Sequence, residues 1–380
     1  MDDAILTYLE AKRPEMVALC RELVECESPS DDPAAVARFV DLVSDKLSGM
    51  ARVRRFPGGR YGPHLQCEFL LPWSRQEGQV LVLGHSDTVH PRGSIASMPF
   101  REEDGKLWGP GVLDMKAGIA SMLFAVRALR ELDLEVRHKI VMQLNSDEEV
   151  GSESSRPLTE EMAQKSAAVL VLEPGTGLDG KLKTARKGVG EYTVTVRGLA
   201  AHAGLDFAAG ASAILELARQ LPAIAAFTDL ARGTTVNPGL IHGGTRTNVI
   251  PSEASAEIDV RVVRMRDARA LDRNFRRLRP VDKRCRIEVS GGLNRPPMER
   301  TRASAKLFRI ARRLARELGV NLEESLSGGG SDGNFTAALG IPTLDGLGPV
   351  GEGAHAPHES ILVDRLADRT ALVAKLLQAL

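Results

Sequence analysis

Three short apolar segments of the sequence end in side chains that can bind a metal ion. The first, residues 80–83, leads into His85 and Asp87. Residues two positions apart in an extended chain point to the same side, so this imidazole and this carboxylate can face one cavity. A carboxylate next to an imidazole fixes the tautomer of many metal-binding histidines. Taken alone the pair is weak evidence, because strand-end histidines with purely structural hydrogen bonds are at least as common.

Carboxylates follow the other two apolar segments. Residues 140–144 lead into Glu148 and Glu149, and residues 169–172 lead into Glu173. Adjacent carboxylates repel each other unless cations compensate them, although a solvated loop would also tolerate Glu148 beside Glu149. Three strands that all end in potential ligands favour one shared site, because open α/β sheets bind ligands at the carboxyl ends of their strands.

Two further segments offer potential ligands. A glycine-rich stretch delivers Asp114 to the head of an apolar helix, where the residue could also serve as an N-terminal cap. A late loop that carries glycine and proline contains His355 and His358. The residues alone do not decide which of these two histidines binds.

The order of elements predicts two domains. Up to residue 183, helical periodicity alternates with short β-rich segments, which favours a parallel sheet covered by helices. Residues 184–293 follow the order β-α-β-β-α-β, with one strand predicted over residues 240–250, and this order suits a small sheet with both helices on one face. Helical pattern then returns. We therefore predict a discontinuous domain, residues 1–183 and 294–380, and an inserted domain, residues 184–293.

The composition excludes several classes of function. Lys and Arg together number 50, as do Asp and Glu, so the formal net charge is zero. The whole molecule thus has no electrostatic attraction to nucleic acid or to an anionic membrane. The sequence shows no long apolar stretch and no secretory signal pattern. Its four cysteines form no Cys-x-x-Cys pair, which argues against a disulfide framework and a thiolate zinc site. We expect a cytoplasmic protein.

These five motifs, in this order, resemble those of the M20 metallopeptidases, and the resemblance covers essentially the whole chain. That family contains glutamate carboxypeptidase, acetylornithine deacetylase, succinyl-diaminopimelate desuccinylase and aminoacylase. The resemblance implies an α/β fold with a zinc-peptidase-type, mostly parallel sheet flanked by helices. It also implies that the inserted domain is a small α+β dimerisation (lid) domain and that the discontinuous domain is catalytic.

The resemblance assigns the metal ligands residue by residue. One zinc ion would be held by His85 and Glu173, a second by Glu149 and His355, and Asp114 would bridge the two. All of these ligands are nitrogen or oxygen donors, which suit Zn²⁺ and allow Co²⁺ or Mn²⁺ to substitute. The expected cofactors are therefore two Zn²⁺ ions per chain.

The same resemblance assigns the chemistry. Asp87 would orient a zinc-bound histidine, and Glu148 would be the general base for hydrolysis by a metal-activated water. The family pattern His-x-x-x-Glu selects His355 over His358, because Glu359 follows His355 at the required spacing.

The inserted domain supplies candidate substrate contacts. His202 resembles a family histidine that reaches the active site of a partner subunit and stabilises the oxyanion, which implies a homodimer. Arg261 is suited to grip a free carboxylate with two hydrogen bonds. The candidate substrate-binding residues are Lys187, Asn248, Arg261, Arg295 and Gly330. For the glycine-rich loop around Gly330, a plain flexible loop is an equal alternative.

The expected reaction is the release of a C-terminal amino acid, with glutamate preferred, from a small peptide or an N-acyl amino acid. Segments 184–188 and 291–297 resemble the glutamate carboxypeptidase branch most closely. The main alternative is deacylation of an N-acyl amino acid, as in acetylornithine deacetylase or succinyl-diaminopimelate desuccinylase. A catalytically silent binding protein with the same fold is a remote alternative.

Overall fold

The computed structural model describes residues 3–72 and 78–380. Contacts within the chain divide it into two compact units. The first comprises Met1–Ala185, Arg300–Ser327 and Ser331–Leu380, and the second comprises Arg186–Glu299 with Gly328–Gly330. The second unit is therefore an insertion in the sequence of the first.

Both units contain helices. They are α1 (Ala4–Ala11), α2 (Arg13–Glu25), α3 (Pro33–Lys46), α4 (Ser94–Ser97), α5 (Ala117–Glu131), α6 (Arg156–Gln164), α7 (Ala213–Ala225), α8 (Met265–Arg276), α9 (Arg302–Glu317), α10 (Gly333–Ala338) and α11 (Leu366–Ala379). None of the helices within residues 3–72 and 78–380 has both the length and the apolar character that a bilayer crossing requires.

The strands form one large sheet in each unit and two smaller sheets. The first eight are β1 (Ala51–Phe56), β2 (His64–Phe69), β3 (Gln79–His85), β4 (Arg101–Glu103), β5 (Lys106–Trp108), β6 (Lys139–Asn145), β7 (Ser166–Val171) and β8 (Leu182–Arg186). The others are β9 (Gly188–Arg197), β10 (Thr235–Gly243), β11 (Glu253–Val262), β12 (Arg286–Arg295), β13 (Glu324–Ser327), β14 (Thr343–Leu344), β15 (Gly351–Glu352) and β16 (Ser360–Leu362).

The large sheet of the first unit is mixed. Its strand order is β1-β2-β6-β3-β7-β14. The pairs β1/β2 and β2/β6 are antiparallel, whereas β6/β3, β3/β7 and β7/β14 are parallel. The central parallel strands carry the apolar segments that the sequence singles out.

Helices cover both faces of this sheet. Along β3, Val80 and Val82 pack into a core that includes α2, α5 and α11. The alternate residues Leu81 and Leu83 pack on the other side with Met162 of α6. Successive side chains of a strand point to opposite faces, so a strand buried on both faces reads as the continuous apolar segment seen here.

The register of the parallel strands brings their carboxyl ends to one edge of the sheet. His85 of β3 pairs with Asn145 of β6, and Leu83 of β3 pairs with Val171 of β7. The residues that follow these strand ends therefore emerge next to one another.

The second unit is a four-stranded antiparallel sheet of order β10-β11-β9-β12 with two helices. Tyr192 and Val194 of β9 share one core with Leu217 of α7 and Phe275 of α8, so both helices lie on the same face. The rings of Tyr192 and Phe275 stack with centroids 4.0 Å apart. The element order is the predicted β-α-β-β-α-β.

One strand of this unit differs from its prediction. The expected strand over residues 240–250 ends at Gly243, and β10 begins earlier, at Thr235. Gly244 has a φ of +75°, a left-handed conformation that interrupts a strand and that glycine adopts without strain. Residues 244–252 form the loop that connects β10 to β11.

Candidate metal centre

His85 is the last residue of β3 and is buried. Its Nδ1 lies 2.8 Å from the backbone oxygen of Asp87. A carbonyl oxygen can only accept, so Nδ1 carries a proton and donates it, which leaves Nε2 to serve as a metal ligand. Nε2 lies 3.1 Å from Asp114 Oδ1 and 3.5 Å from Glu173 Oε1.

Asp87 orients His85 with its backbone oxygen, not with its carboxylate. Its Oδ1 is 3.6 Å from His85 Nδ1. The carboxylate instead accepts hydrogen bonds from the backbone N–H groups of Glu148 and Glu149, both at 3.2 Å, and from the Ser30 hydroxyl at 2.7 Å. Asp87 thus also holds the loop that carries the adjacent acids.

Asp114 lies between two histidines. Its Oδ1 faces His85 Nε2 at 3.1 Å, and its Oδ2 faces His355 Nε2 at 3.3 Å. His355 Nε2 also lies 3.3 Å from Glu149 Oε2. Each oxygen of one carboxylate therefore addresses a different imidazole, and each imidazole faces a second carboxylate.

The chain thus brings all five predicted ligands together. His85, Asp114 and Glu149 offer ligand atoms within 4.8 Å of one another, as do His85, Glu148 and Glu173. The buried Glu149 Oε1 has no hydrogen-bond partner among the described residues. A buried carboxylate oxygen is unfavourable without a partner, and a divalent cation held by these nitrogen and oxygen donors would supply one. The residues fit a pair of divalent metals.

Electrostatic interactions among these residues favour positive charge at the two histidines. Burial lowers the pKa of His85, but the nearby carboxylates of Asp114, Asp87 and Glu173 outweigh burial and raise this pKa well above its ordinary value. Hydrogen bonds to Asp114 and Glu149 raise the pKa of His355 to about 10. Protons on the two imidazoles thus provide positive charge where the carboxylates converge.

His355 differs from His85 in its surroundings. Its side chain is 50% exposed, against 1% for His85. It lies in the loop between β15 and β16 with a φ of +65°. This left-handed conformation is uncommon for a residue other than glycine.

In the second unit, the structure brings His202 and Asn248 next to each other. The backbone N–H of Ala203, the residue after His202, donates to the backbone oxygen of Asn248 at 3.0 Å. His202 Nδ1 accepts N–H groups from Gly204 and Leu205, both at 3.1 Å. An Nδ1 that accepts leaves the proton of a neutral imidazole on Nε2. The exposed His202 ring can therefore donate a hydrogen bond.

Arg261 is paired with a neighbour on its own strand. Its Nε lies 2.9 and 3.0 Å from the two oxygens of Asp259, and its Nη2 lies 2.8 Å from Asp259 Oδ2. A guanidinium has five N–H donors, so this pair orients Arg261 without using all of them.

Arg295 and Gly330 lie in contact. A Cβ at Gly330 would approach Arg295 Cδ to 2.8 Å, so a side chain at this position would force the arginine to shift. Lys187 directly precedes β9, whose Val189 pairs with Arg295. These three residues lie at one end of the second sheet.

The sequence indicated no role for two residues that lie beside the predicted metal ligands. Glu359 serves there as a spacing marker, yet its buried carboxylate contacts the loop of Asp114. His90 donates to Glu359 across 269 positions of the sequence. Contacts between residues this far apart leave no local pattern in the sequence. The presence of a second histidine five residues after His85 is the feature that could have drawn attention to His90.

Comparisons with known proteins identify a family and several relatives. The model of peptidase family M20/M25/M40 matches residues 81–379. Carboxypeptidase G2 of Pseudomonas sp. (strain RS-16) is 27% identical over 388 residues, covering 100% of this chain and 92% of that protein. Succinyl-diaminopimelate desuccinylase of Xanthomonas oryzae pv. oryzae (strain PXO99A) is 31% identical over 317 residues, covering 78% of this chain and 81% of that protein.

Solved structures share the fold. The aminopeptidase PepT from Bacillus cereus ATCC 10987 has a TM-score of 0.80 with 23% identity, covering 96% of this chain and 98% of that one. The Bacillus subtilis YXEP protein, described as a dinuclear metal-binding peptidase, has a TM-score of 0.71 with 15% identity, covering 97% and 98%.

Metal removal tests the site. Each ligand must be deprotonated to bind a metal, so uptake should release protons from His85 and His355. Zn²⁺ added to chelator-treated protein should raise the melting temperature, and this gain should grow from about pH 6 to about pH 8 as fewer protons compete. Calorimetry measures both effects. An Asp114→Asn variant should show little gain, and a gain equal to the wild type would contradict the shared carboxylate.

Proposed function

Because the chain belongs to peptidase family M20/M25/M40, we propose that it is a di-zinc amide hydrolase that releases a C-terminal amino acid, with glutamate preferred. Membership confirms the predicted family, and the fold and the assignment as a metal-dependent hydrolase are confirmed with it. The position of Asp114 between His85 and His355 is the observation that carries the proposal.

The proposed zinc ligands are His85 and Glu173 for one ion, Glu149 and His355 for the other, and Asp114 for both. The distances from each imidazole to its carboxylates support this division. Two divalent cations, when bound, would polarise the scissile carbonyl and lower the pKa of a water molecule.

Glu148 is the proposed general base. Its carboxylate lies within 4.8 Å of the ligand atoms of His85 and Glu173, and Asp87 holds its backbone N–H. Glu148 accepts a proton from the attacking water and delivers it to the leaving amine. Asp87 contributes by orienting His85 and the Glu148 loop together.

The proposed role of His202 is to donate a hydrogen bond from Nε2 to the oxyanion, across a homodimer interface. Its Nδ1 accepts two backbone N–H groups, which supports the tautomer that this role requires. Hydrogen-bond donors aimed at developing negative charge lower the barrier to acyl transfer.

Carboxypeptidase activity is favoured because the similarity to carboxypeptidase G2 extends over the whole chain. Arg261 is the proposed contact for the α-carboxylate of the leaving residue, and Lys187, Asn248, Arg295 and Gly330 are further proposed substrate contacts. The second candidate is deacylation of an N-acyl amino acid, favoured by the desuccinylase with higher identity over a shorter part of the chain. The values of kcat/KM for C-terminal Glu, Asp and neutral dipeptides and for acetyl and succinyl amino acids separate the two.

The Glu148→Gln variant tests the general base. Removal of proton transfer should lower kcat by about 10²–10⁴-fold while both metals stay bound. Steady-state kinetics and metal analysis measure the two quantities. The matched control is Glu153→Gln, since Glu153 is an exposed acid of the same loop. Normal turnover by metal-loaded Glu148→Gln would contradict the assignment.

The Arg261→Lys variant tests carboxylate recognition. A lysine cannot form the two-pronged hydrogen bond, so KM for substrates with a free C-terminal carboxylate should rise by about tenfold or more. Substrates with a C-terminal amide should be affected far less. Arg269→Lys, at an exposed position of α8, is the control. An equal change in KM for both substrate types would exclude this role.

The second unit presents the surface proposed for dimerisation. β10 is an edge strand, and its Leu240 and Ile241 are 56% and 57% exposed. Leu215 of α7 is 57% exposed. An exposed apolar edge strand is a template for pairing with another chain, and a second copy would cover it.

The Ile241→Lys variant tests the dimer. A charge on the apolar edge should shift the protein towards monomers, measured by light scattering after size exclusion. If His202 acts in the partner's site, kcat should fall together with the dimer fraction. The control is Leu178→Lys, an exposed leucine of the first unit. A fully active wild-type monomer would refute both parts.

A further inference from the structure

Glu359 is a buried carboxylate at the start of a short strand. It directly precedes β16 and follows His355 by four residues. Its side chain is 0% exposed. Burying a charged group is unfavourable unless hydrogen bonds or opposite charges compensate it, so its partners indicate what the residue holds in place.

Four N–H groups surround this carboxylate. Oε1 accepts from the backbone N–H groups of Leu113 at 2.8 Å and Asp114 at 3.0 Å. Oε2 accepts from the backbone N–H of Gly111 at 3.0 Å and from His90 Nε2 at 2.6 Å. Each oxygen therefore has two donors, and three of the four belong to the loop that carries Asp114.

These contacts join chain segments that supply metal ligands. His90 belongs to the segment that leaves β3 after His85. Glu359 itself belongs to the segment that carries His355. Backbone contacts join the last two segments as well. Ser360 pairs with Trp108, and the Gly109 N–H donates to the backbone oxygen of Glu359 at 3.3 Å. The segments of His85, Asp114 and His355 thus meet at one side chain.

We propose that Glu359, supported by His90, is a positioning residue that sets the direction of the shared ligand Asp114 relative to both metal positions. This inference rests on the proposed function, because it requires that Asp114 binds metal. Glu359 would not itself bind the metals, and it would act through its hydrogen bond to the backbone N–H of Asp114. Replacement of such outer partners typically weakens metal binding by about 10- to 100-fold.

A buried carboxylate that only stabilises the fold is the alternative, and the chain offers a matched control. Glu216 of α7 is also fully buried. It accepts backbone N–H groups from Val281 at 2.8 Å and Asp282 at 3.0 Å, and both partners belong to the second unit. Loss of either carboxylate removes buried hydrogen bonds, but only Glu359 contacts the loop of a proposed ligand.

The experiment uses the full chain, stripped with a chelator and titrated with Co²⁺. Competition with a chelating dye gives the dissociation constants, and the visible absorption of bound Co²⁺ reports ligand geometry. Wild type, Glu359→Ala, Glu359→Gln and Glu216→Gln are compared, with circular dichroism to confirm folding. In Glu359→Gln the side-chain carbonyl can still accept from Leu113 and Asp114, whereas the NH₂ group cannot accept from Gly111, so this substitution should be the milder change.

We expect Glu359→Ala to weaken Co²⁺ binding by about 10- to 100-fold and to alter the absorption spectrum, and Glu359→Gln to weaken binding by about tenfold. Glu216→Gln should keep the wild-type affinity and spectrum. If Glu359→Ala does not fold, Glu359→Gln decides. Wild-type affinity and spectrum in the folded Glu359 variants, or equal losses in Glu216→Gln, would overturn the inference. Failure of the wild type itself to bind Co²⁺ would instead overturn the proposed function.

Discussion

Mutual repulsion of carboxylates at one edge of a sheet is the constraint on which the first unit depends. Asp87, Asp114, Glu149, Glu173 and Glu359 all have side chains exposed by no more than 13%. A buried charge without compensation is strongly destabilising. Asp87 accepts hydrogen bonds from two backbone N–H groups and a serine hydroxyl, and Glu359 accepts from three backbone N–H groups and His90. Asp114, Glu149 and Glu173 instead face the imidazoles of the two proposed ligands His85 and His355. The first group holds loops in place, and the second is placed to meet cations.

Both loop-holding carboxylates work across large distances in the sequence. Asp87 fixes the loop of Glu148 and Glu149, and Glu359 fixes the loop of Asp114. Both residues also contact the segment of the proposed ligand His85: the backbone oxygen of Asp87 accepts from His85, and the carboxylate of Glu359 accepts from His90. Each of these two carboxylates thus holds a loop in a definite geometry through hydrogen bonds to its backbone.

General rules of sheet structure identified four candidate site residues, because each lies at or just after the end of an apolar segment that is visible in the sequence. They are His85, Glu148, Glu149 and Glu173. Asp114 and His355 lie in loops, whose conformation no periodicity specifies, so their assignment needed the resemblance to a family. His90 and Glu359 are joined by a contact across 269 positions of the sequence, which no local pattern predicts, so the family pattern marked Glu359 without indicating what it contacts. In the second unit, apolar residues on both sides of Gly244 led to the prediction of one continuous strand. The left-handed backbone conformation of that glycine instead separates the strand from the loop that follows.

The conformation of His355 would make the two proposed metal positions unequal. A left-handed backbone at a residue other than glycine costs about 1–2 kcal/mol, and His355 adopts it in a half-exposed loop. His85, by contrast, ends a rigid strand and is shielded from water. Relaxation of the strained loop would withdraw one ligand from its cation, whereas the other cation would keep its histidine. The ion beside His355 would therefore exchange with the surrounding solution faster than its neighbour. When metal is scarce, the position beside His355 would lose its ion first.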